Sequence, residues 1–385
     1  MMNRLLFTLL CCLLSATIFG QQVGHTTVTF NDAARTGGFG SGGGPGRQMQ
    51  TEIYYNAATA GVDVPMVKVG GNAAPVIVFG HGFLMGWDSY SWLWDSLVRE
   101  GYVVALPRTE GGITPNHIDF GEDLKQVASK LVALNSVNTS IFFNNLSGKA
   151  AIGGHSMGGG ASFIAGAGNV AIACLFNFAA AQTSNNSAST GAKSVQVPTL
   201  VFAGGNDCVA PPATHAKLIY DSINEITCRW FININDGLHC QFNDLNLTCS
   251  AGQIGCPTSP VTREQQLSKV LRHLRPFLKH YLQNDVPSFS TFSTAYNNAT
   301  DVVKESSCLV ASNTEVAGNS TKLYPNPCTN YIVAPRAGLL RIFTTTGVLM
   351  QSQQVQQGQQ IDVSKLPIQC YVVRIGELAY SVVKQ

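Results

Sequence analysis

The stretch that most constrains the fold is Gly154-His155-Ser156-Met157-Gly158, which matches the pattern Gly-x-Ser-x-Gly. A short apolar run, 150–152, precedes it, and small residues followed by Phe163 come after it. This order predicts a buried strand, a sharp turn and a helix, with the serine at the turn. Flanking glycines allow the strand and the helix to pass close together. Because a glycine-rich chain can contain this pentapeptide by chance, its surroundings decide its meaning.

Apolar runs typical of strands alternate with helical patterns in the central part of the chain. The strand-like runs are 76–79, 102–106, 170–178, 199–203 and 229–234, with an edge strand predicted over 51–55. The helical patterns cover 90–99, 120–134, 213–223 and 261–282, and Thr262 with Gln265 forms a predicted capping box in the last of them. The alternation predicts an α/β fold, a mainly parallel sheet covered by helices on both faces.

Composition divides the chain into five parts. Residues 1–20 have a basic start, an apolar run and a small residue, which predicts a secretory signal peptide. Residues 21–47 are polar and glycine-rich, and we expect a flexible lead-in before a catalytic domain over 48–285. Residues 286–320 are rich in Ser, Thr and Asn and read as a linker. Short strand-like runs in 321–385 predict a small β-sandwich.

Charge and hydropathy exclude several classes of protein. The formal net charge is +2 and only 12% of the residues are charged, without basic clusters, so we expect no nucleic-acid partner. No run after the signal peptide reaches the roughly 20 apolar residues that a membrane span needs. Cys11 and Cys12 leave a lipid anchor as an alternative to cleavage. We expect a monomer.

A serine hydroxyl is a poor nucleophile until a base takes its proton and a carboxylate orients that base. Asp207 follows the strand-like run 199–203, and His239 follows the run 229–234. In a parallel sheet both positions lie at the carboxyl ends of the strands, where ligands usually bind. We therefore predict Ser156 as nucleophile, His239 as base and Asp207 as acid. Asp236 could compete with Asp207, although it lies close to His239 in sequence, and a structural role for His239 stays open.

Acyl transfer also needs N–H donors aimed at the oxyanion that develops in the transition state. The backbone N–H of Met157 is one candidate, because it follows the serine at the start of a helix. Phe83, in the loop Gly80-His81-Gly82-Phe83 after the first buried strand, is the other. His155 is expected to face away from the nucleophile.

Residues from about Thr51 to Leu282 resemble the α/β-hydrolase family. The motifs HGF, GHSMGG, GGNDCVAPP and DGLHC together look like its secreted cutinase, chlorophyllase and PET hydrolase relatives. The resemblance implies the same roles for Ser156, Asp207, His239, Phe83 and Met157. It implies a secreted serine carboxylic-ester hydrolase that forms an acyl-enzyme without metal or organic cofactor. The chain departs from PET hydrolases at 179–182, where Ala-Ala-Ala-Gln stands in the loop that usually carries a tryptophan.

The chain has 11 cysteines, two of them inside the predicted signal peptide. An exported chain of this kind should form disulfides. Cys208 and Cys240 directly follow the acid and the base, and a bond between them would join the two loops, as similar pairings do in the polyester-hydrolase branch. Cys249 and Cys256 would close a second loop, and Cys174 is the candidate for a buried free thiol. Zinc binding is the alternative use of these cysteines.

The C-terminal region resembles a type IX secretion system sorting domain. The resemblance rests on the segments 323–327, 361–366 and 371–373, the Gly347 turn and Lys384. Cys370 replaces the usual glycine before the tyrosine, and a disulfide between Cys370 and Cys328 is a candidate. The resemblance implies export through the periplasm of a Gram-negative bacterium to its surface or medium, with the secretion machinery as a partner. A carbohydrate-binding sandwich is the alternative.

Three functions remain open at this point. The leading one is an ester hydrolase acting on polymeric or small esters, with polyesters such as PET among them. The second is an amidase or peptidase with the same triad, and the third is a catalytically silent surface binding protein on a hydrolase scaffold.

Overall fold

The computed structural model describes residues 22–224, 227–307, 323, 325–344, 347–376 and 378–385, so the predicted signal peptide lies outside the described residues. The strands are β1 (Gln22–Asp32), β2 (Gly38–Phe39), β3 (Arg47–Ala57), β4 (Gly61–Val62), β5 (Ala74–Gly80), β6 (Val103–Pro107), β7 (Leu146–His155), β8 (Cys174–Phe178), β9 (Thr199–Gly204), β10 (Arg229–Ile234), β11 (Val302–Ser306), β12 (Tyr331–Val333), β13 (Gly338–Thr344), β14 (Leu349–Val355), β15 (Gln360–Asp362), β16 (Cys370–Ile375) and β17 (Leu378–Val383). The helices are α1 (Ser91–Val98), α2 (His117–Ala133), α3 (Met157–Gly166), α4 (Ser187–Ala192), α5 (Ala216–Ser222), α6 (Leu247–Gly252), α7 (Arg263–Gln283) and α8 (Val286–Asn298).

Within the described part of the chain, one 11-stranded sheet has the order β11-β10-β9-β8-β7-β5-β6-β3-β1-β4, with β2 beside β3. The six strands β5 to β10 run parallel to one another. β1, β3 and β11 pair in antiparallel fashion. The predicted mainly parallel sheet is confirmed, although β3 lies between β6 and β1 instead of at an edge.

The central strands are buried on both faces because helices cover the sheet on either side. In β5, Val76 and Val78 point into the core beneath α2 and α3, whereas Ile77 and Phe79 point into the core beneath α1 and α7. This alternation is what a strand produces when both its faces are apolar. The capping box of Thr262 and Gln265 at the start of α7 is confirmed.

The prediction of a flexible lead-in over 21–47 is wrong. β1 pairs with β3 along its whole length, from Gln22 opposite Ala57 to Asp32 opposite Arg47. The glycine-rich residues between the two strands fold back against β3, where a side chain at Gly38 would meet the Gln48 carbonyl oxygen at 2.0 Å. The polar residues of β1 suit a strand near the sheet edge, which has a wet face.

A buried ion cluster fastens this N-terminal part to the helical layer. Asp123 of α2 is fully buried and accepts hydrogen bonds from Arg47 at 2.7 and 2.8 Å and from Arg35 at 2.8 Å. Because a buried carboxylate requires charged partners, the two arginines cannot leave without a large penalty. The segment predicted to be loose is therefore part of the catalytic domain.

The prediction of a linker over 286–320 is also wrong for its first part. α8 packs Phe292 against Trp230 and Phe277, with ring centroids 5.2 and 5.7 Å apart. β11 then pairs with β10 and completes the sheet. Most Ser, Thr and Asn residues of α8 are exposed on its outer face, although Ser288 is buried, and composition alone could not distinguish such a helix from a linker. The domain thus extends from residue 22 to at least 307.

The C-terminal strands form antiparallel sheets of their own. β12 pairs with β15, and the second sheet has the order β14-β13-β16-β17. Ile332, Leu340 and Val373 are among the residues of a core that these sheets share. The domain boundary near 321 lies outside the described residues and stays a prediction.

The predicted bond between Cys328 and Cys370 is wrong, since both thiols are free. The backbone of Cys328 pairs with that of Lys384 on one side of the last strand. The backbone of Cys370 pairs with that of Val383 on the other side. Two strands on either side of a third are roughly 9–10 Å apart, too far for a disulfide. No helix in the described ranges is long and apolar enough to cross a membrane.

Two shortened chains test the corrected boundary. We expect a chain ending at Ser320 to keep the thermal transition of the domain that contains the 11-stranded sheet. A chain ending at Pro287 should fail to unfold cooperatively, because it lacks β11 and the Phe292 ring that covers Trp230. Removing one buried phenylalanine ring already costs about 3–5 kcal/mol. Circular dichroism melting of both chains measures this, and equal melting temperatures would refute the boundary.

Candidate active site

Ser156 lies at the turn between β7 and α3, as predicted. Its φ of 54° and ψ of −117° place a non-glycine residue in a strained backbone conformation. Its N–H donates to the Phe178 carbonyl at 3.0 Å, and its carbonyl accepts from Gly160 and Ala181 at 3.0 and 2.9 Å. The backbone of the serine is thereby held between its own helix and the end of β8.

Glycines make this turn possible by allowing three backbone segments to touch. A Cβ atom at Gly154 would lie 2.2 Å from the Gly158 carbonyl oxygen, and one at Gly158 would lie 2.2 Å from the Gly80 carbonyl oxygen. Real Cβ contacts are never this short, so these positions exclude every residue with a side chain. This close backbone contact holds the turn with Ser156 at the carboxyl end of the sheet.

Asp207 and His239 meet at the same edge. Oδ2 of Asp207 lies 2.6 Å from Nδ1 of His239, and Oδ1 accepts from the N–H groups of Val209 and Ala210 at 2.9 and 2.8 Å. Both side chains are buried. A carboxylate can only accept, so Nδ1 carries the proton and Nε2 is the nitrogen that can act as a base.

The loop that carries His239 is held by a residue that sequence reasoning missed. The buried amide of Gln266 on α7 accepts from Leu238 N–H and donates to Leu238 C=O, both at 2.9 Å. A signal was present, because Gln266 lies four residues before Val270 on the apolar stripe of the helix. A polar residue on such a stripe has to find buried partners.

The buried ring of His155 packs against the base candidate, with its centroid 4.8 Å from that of His239. Burial and the neighbouring His239 hold the pKa of His155 well below its usual value. His155 is therefore neutral, and the base candidate has an uncharged neighbour. The residue directly before the serine thus touches the histidine, which brings the predicted nucleophile and base to one place.

The loop after β5 is fixed by Tyr90, a further residue that sequence reasoning missed. The Tyr90 hydroxyl accepts from Gly82 N–H at 2.8 Å and lies 3.1 Å from Nδ1 of His155. Gly82 N–H is thus already used, and Phe83 N–H stays the candidate donor of this loop. Among the described residues, neither Phe83 N–H nor Met157 N–H donates to a protein acceptor.

A pocket of about 360 Å³ opens at the serine. Its lining includes Ser156, the two predicted oxyanion donors Phe83 and Met157, and Ala181 and Gln182 from the loop after β8. His117, the first residue of α2, also lines it, and its Nδ1 lies 3.0 Å from the Ser184 hydroxyl oxygen. The pocket can hold an ester carbonyl beside the Ser156 hydroxyl, with the N–H groups of Phe83 and Met157 next to it.

Comparison with known proteins places this geometry in a family. The model of the PET hydrolase-like family matches residues 16–257, well over half of the chain, and the matched range includes all three triad candidates. The chain belongs to the PET hydrolase-like family. It therefore has the α/β-hydrolase fold, and α7, α8, β11 and the C-terminal sheets lie beyond the matched range.

Two curated proteins are similar to this member of the family. The bis(hydroxyethyl) terephthalate hydrolase of Streptomyces coelicolor is 29% identical over 173 residues, which cover 45% of this chain and 52% of that protein. Cutinase est1 of Thermobifida alba is 24% identical over 233 residues, which cover 58% of this chain and 67% of that protein. The chain thus spans about half the length of the first relative and two thirds of the second.

The disulfides of this PET hydrolase-like chain differ from both predicted pairings near the site. Cys208 bonds to Cys256 and Cys240 bonds to Cys249, with Cα atoms 5.4 and 5.7 Å apart. The cause is the segment 243–258, which lies against both loops and receives one bond from each. The predicted buried free thiol at Cys174 is confirmed, and burial raises its pKa.

Other polar groups of the domain have structural partners. His25 contacts Glu52 at 2.6 Å, and His215 accepts from Gln182 N–H at 2.9 Å. Within the described ranges, no group of three or more His, Cys, Asp or Glu side chains could hold a metal ion. Asp236, the competing acid, contacts Asn206 at 3.4 Å, whereas Asp207 contacts the histidine.

The glycine contacts predict the effect of one methyl group. We expect Gly158→Ala to lower the free energy of unfolding by about 2 kcal/mol or more, since its Cβ would displace the Gly80 backbone. The matched control is Gly252→Ala in α6, where a Cβ would meet nothing within 4 Å. Urea unfolding of both variants measures the difference. Similar stabilities would contradict the close approach.

Peptide mapping without reduction tests the disulfides. We expect the peptide with Cys208 to be recovered bonded to that with Cys256, and the peptide with Cys240 bonded to that with Cys249. Recovery of Cys208 linked to Cys240 would show that segment 243–258 does not lie against the two loops.

Proposed function

We propose that this protein is a secreted serine carboxylic-ester hydrolase with Ser156, His239 and Asp207 as its triad. The observation that carries the proposal is the 2.6 Å contact between Asp207 and His239, at the sheet edge where strained Ser156 opens into a pocket. Membership of the PET hydrolase-like family supports the ester as the bond cleaved.

The reaction would follow from the geometry of these groups. Nε2 of His239 takes the proton of Ser156 as the hydroxyl oxygen attacks the ester carbonyl, and Asp207 stabilises the charged imidazole. The N–H groups of Phe83 and Met157 bind the oxyanion. The alcohol leaves with the proton from His239, and a water molecule then hydrolyses the acyl-enzyme by the same steps.

Polyesters with aromatic acids are the proposed substrate class. The support is the relative that acts on bis(hydroxyethyl) terephthalate, together with the cutinase. Ala181 and Gln182 line the pocket where PET hydrolases usually have a tryptophan, so the ring of the substrate would rest against small and polar side chains. The pocket is therefore wider, and its packing against one aromatic ring of the substrate is weaker.

Export is part of the proposal. The two disulfides near the site suit an oxidising compartment, and the N-terminal residues have the composition of a signal peptide. That the C-terminal sheets act as a type IX sorting domain stays a prediction. It is supported by their own hydrophobic core and by the motifs that the sequence carries.

Three variants test the triad. We expect Ser156→Ala to abolish hydrolysis of p-nitrophenyl butyrate and labelling by a fluorophosphonate. Asp207→Asn should lower kcat by about 10⁴-fold, because the histidine would lose its orienting carboxylate. Asp236→Asn is the matched control and should leave kcat within about twofold of wild type.

The outcomes separate the alternatives. Labelling of Ser156→Ala at the wild-type rate would refute the nucleophile, and a large loss in Asp236→Asn would reassign the acid. Cleavage of an anilide at a rate equal to that of the matching ester would favour an amidase.

A further inference from the structure

The segment 243–258 exposes more apolar surface than its role as a disulfide-bonded loop requires. Leu245, Leu247 and Ile254 are 76%, 84% and 84% exposed. α6, which lies in this segment, contains no buried residue. These three aliphatic side chains therefore contribute nothing to a core, although exposing them to water is unfavourable.

The segment is held at the catalytic end of the sheet. One disulfide joins it to Cys208, next to the acid, and the other joins it to Cys240, next to the base. A hydrogen bond from Cys240 N–H to Gln253 Oε1 at 2.9 Å adds to the second attachment. A segment without a core of its own is thus kept in one place, beside the site.

Apart from Asp244, the segment also lacks charge. No Asp, Glu, Lys or Arg occurs between Leu245 and Thr262. Asp244, just before this stretch, accepts a hydrogen bond from the Ser91 hydroxyl at 2.7 Å. Phe83 and Val209 are further exposed apolar residues at this end of the molecule, next to the oxyanion loop and the acid. A partner that matches this face would be apolar and uncharged.

We propose that segment 243–258 is an adsorption surface, with Leu245, Leu247 and Ile254 anchoring the enzyme on an insoluble, uncharged polyester. The inference rests on the proposed function and names the physical state of its substrate. An insoluble polymer has no ions to pair with, so apolar contact is the main attraction available. Because the anchors sit beside Asp207 and His239, adsorption would bring the pocket to the polymer surface.

A second copy of the chain is a less suitable occupant. A stable protein interface buries about 800 Å² on each partner. Three side chains on one short segment offer only part of that area, whereas a polymer film can contact the whole catalytic end of the molecule.

The test compares two triple variants. The first carries Leu245→Ser, Leu247→Ser and Ile254→Ser. The control carries Val62→Ser, Val170→Ser and Ile368→Ser, which replace aliphatic residues that are 69%, 70% and 77% exposed elsewhere. Binding to amorphous PET film is measured in a Ser156→Ala background so that hydrolysis does not alter the film. Hydrolysis of p-nitrophenyl butyrate is measured with Ser156 present.

We expect the first variant to bind the film at least about 10-fold more weakly than wild type. It should hydrolyse the soluble ester within about twofold of wild type, and the control should match wild type in both assays. Equal binding by both variants would overturn the proposal. So would a parallel loss on the soluble ester, which would mean that the leucines support the triad.

Two further measurements distinguish polymer adsorption from dimer formation and from a failure of the proposed function. Light scattering that shows a dimer in wild type and a monomer in the first variant would assign the surface to a second copy instead. If wild type hydrolyses no soluble ester, the proposed function fails, while the binding measurement still decides whether the segment adsorbs to the polymer.

Discussion

The contact of three glycine backbones is the constraint on which the site depends. Gly80 is the last residue of β5, Gly154 lies near the end of β7, and Gly158 lies in the first turn of α3. The main chains at these three glycines are in contact. This contact brings the loop with Phe83 next to the turn with Ser156. The proposed nucleophile and both proposed oxyanion donors therefore belong to one packed unit, in which the strained serine backbone is held from both sides.

The proposed acid, Asp207, and the proposed base, His239, are positioned by a different kind of interaction. Asp207 is fixed by two backbone N–H groups and by the histidine, and the loop of His239 is fixed by Gln266. The disulfides then attach both loops to one external segment. Packing thus positions the nucleophile, whereas hydrogen bonds and covalent bonds position its partners. The two halves meet through His155, whose ring contacts the base from the residue next to the serine.

Local sequence patterns predicted most of the strands and helices. Features that depend on contacts between residues distant in sequence could not be predicted in this way. The strand 229–234 is predicted with the bounds that β10 has, because four of its six residues are apolar and buried. β1 was missed because its polar residues suit a wet face and its partner lies across a glycine-rich loop. The disulfide pairing depended on where the segment 243–258 runs, which no local pattern contains. Gln266 and Tyr90 act through contacts between distant parts of the chain, so their roles appeared only in three dimensions.

The strand β11 has a consequence for the newly made chain. It covers β10, whose Trp230, Phe231 and Ile232 are buried, and it is the last strand of the sheet along the chain. Until residues 302–306 have emerged, β10 presents an open row of backbone donors and acceptors, with large apolar side chains on both faces. Such an edge is a template for aggregation with other chains. The chain is therefore most prone to aggregate before β11 has been made, and a chaperone that covers β10 or rapid synthesis of β11 would protect it.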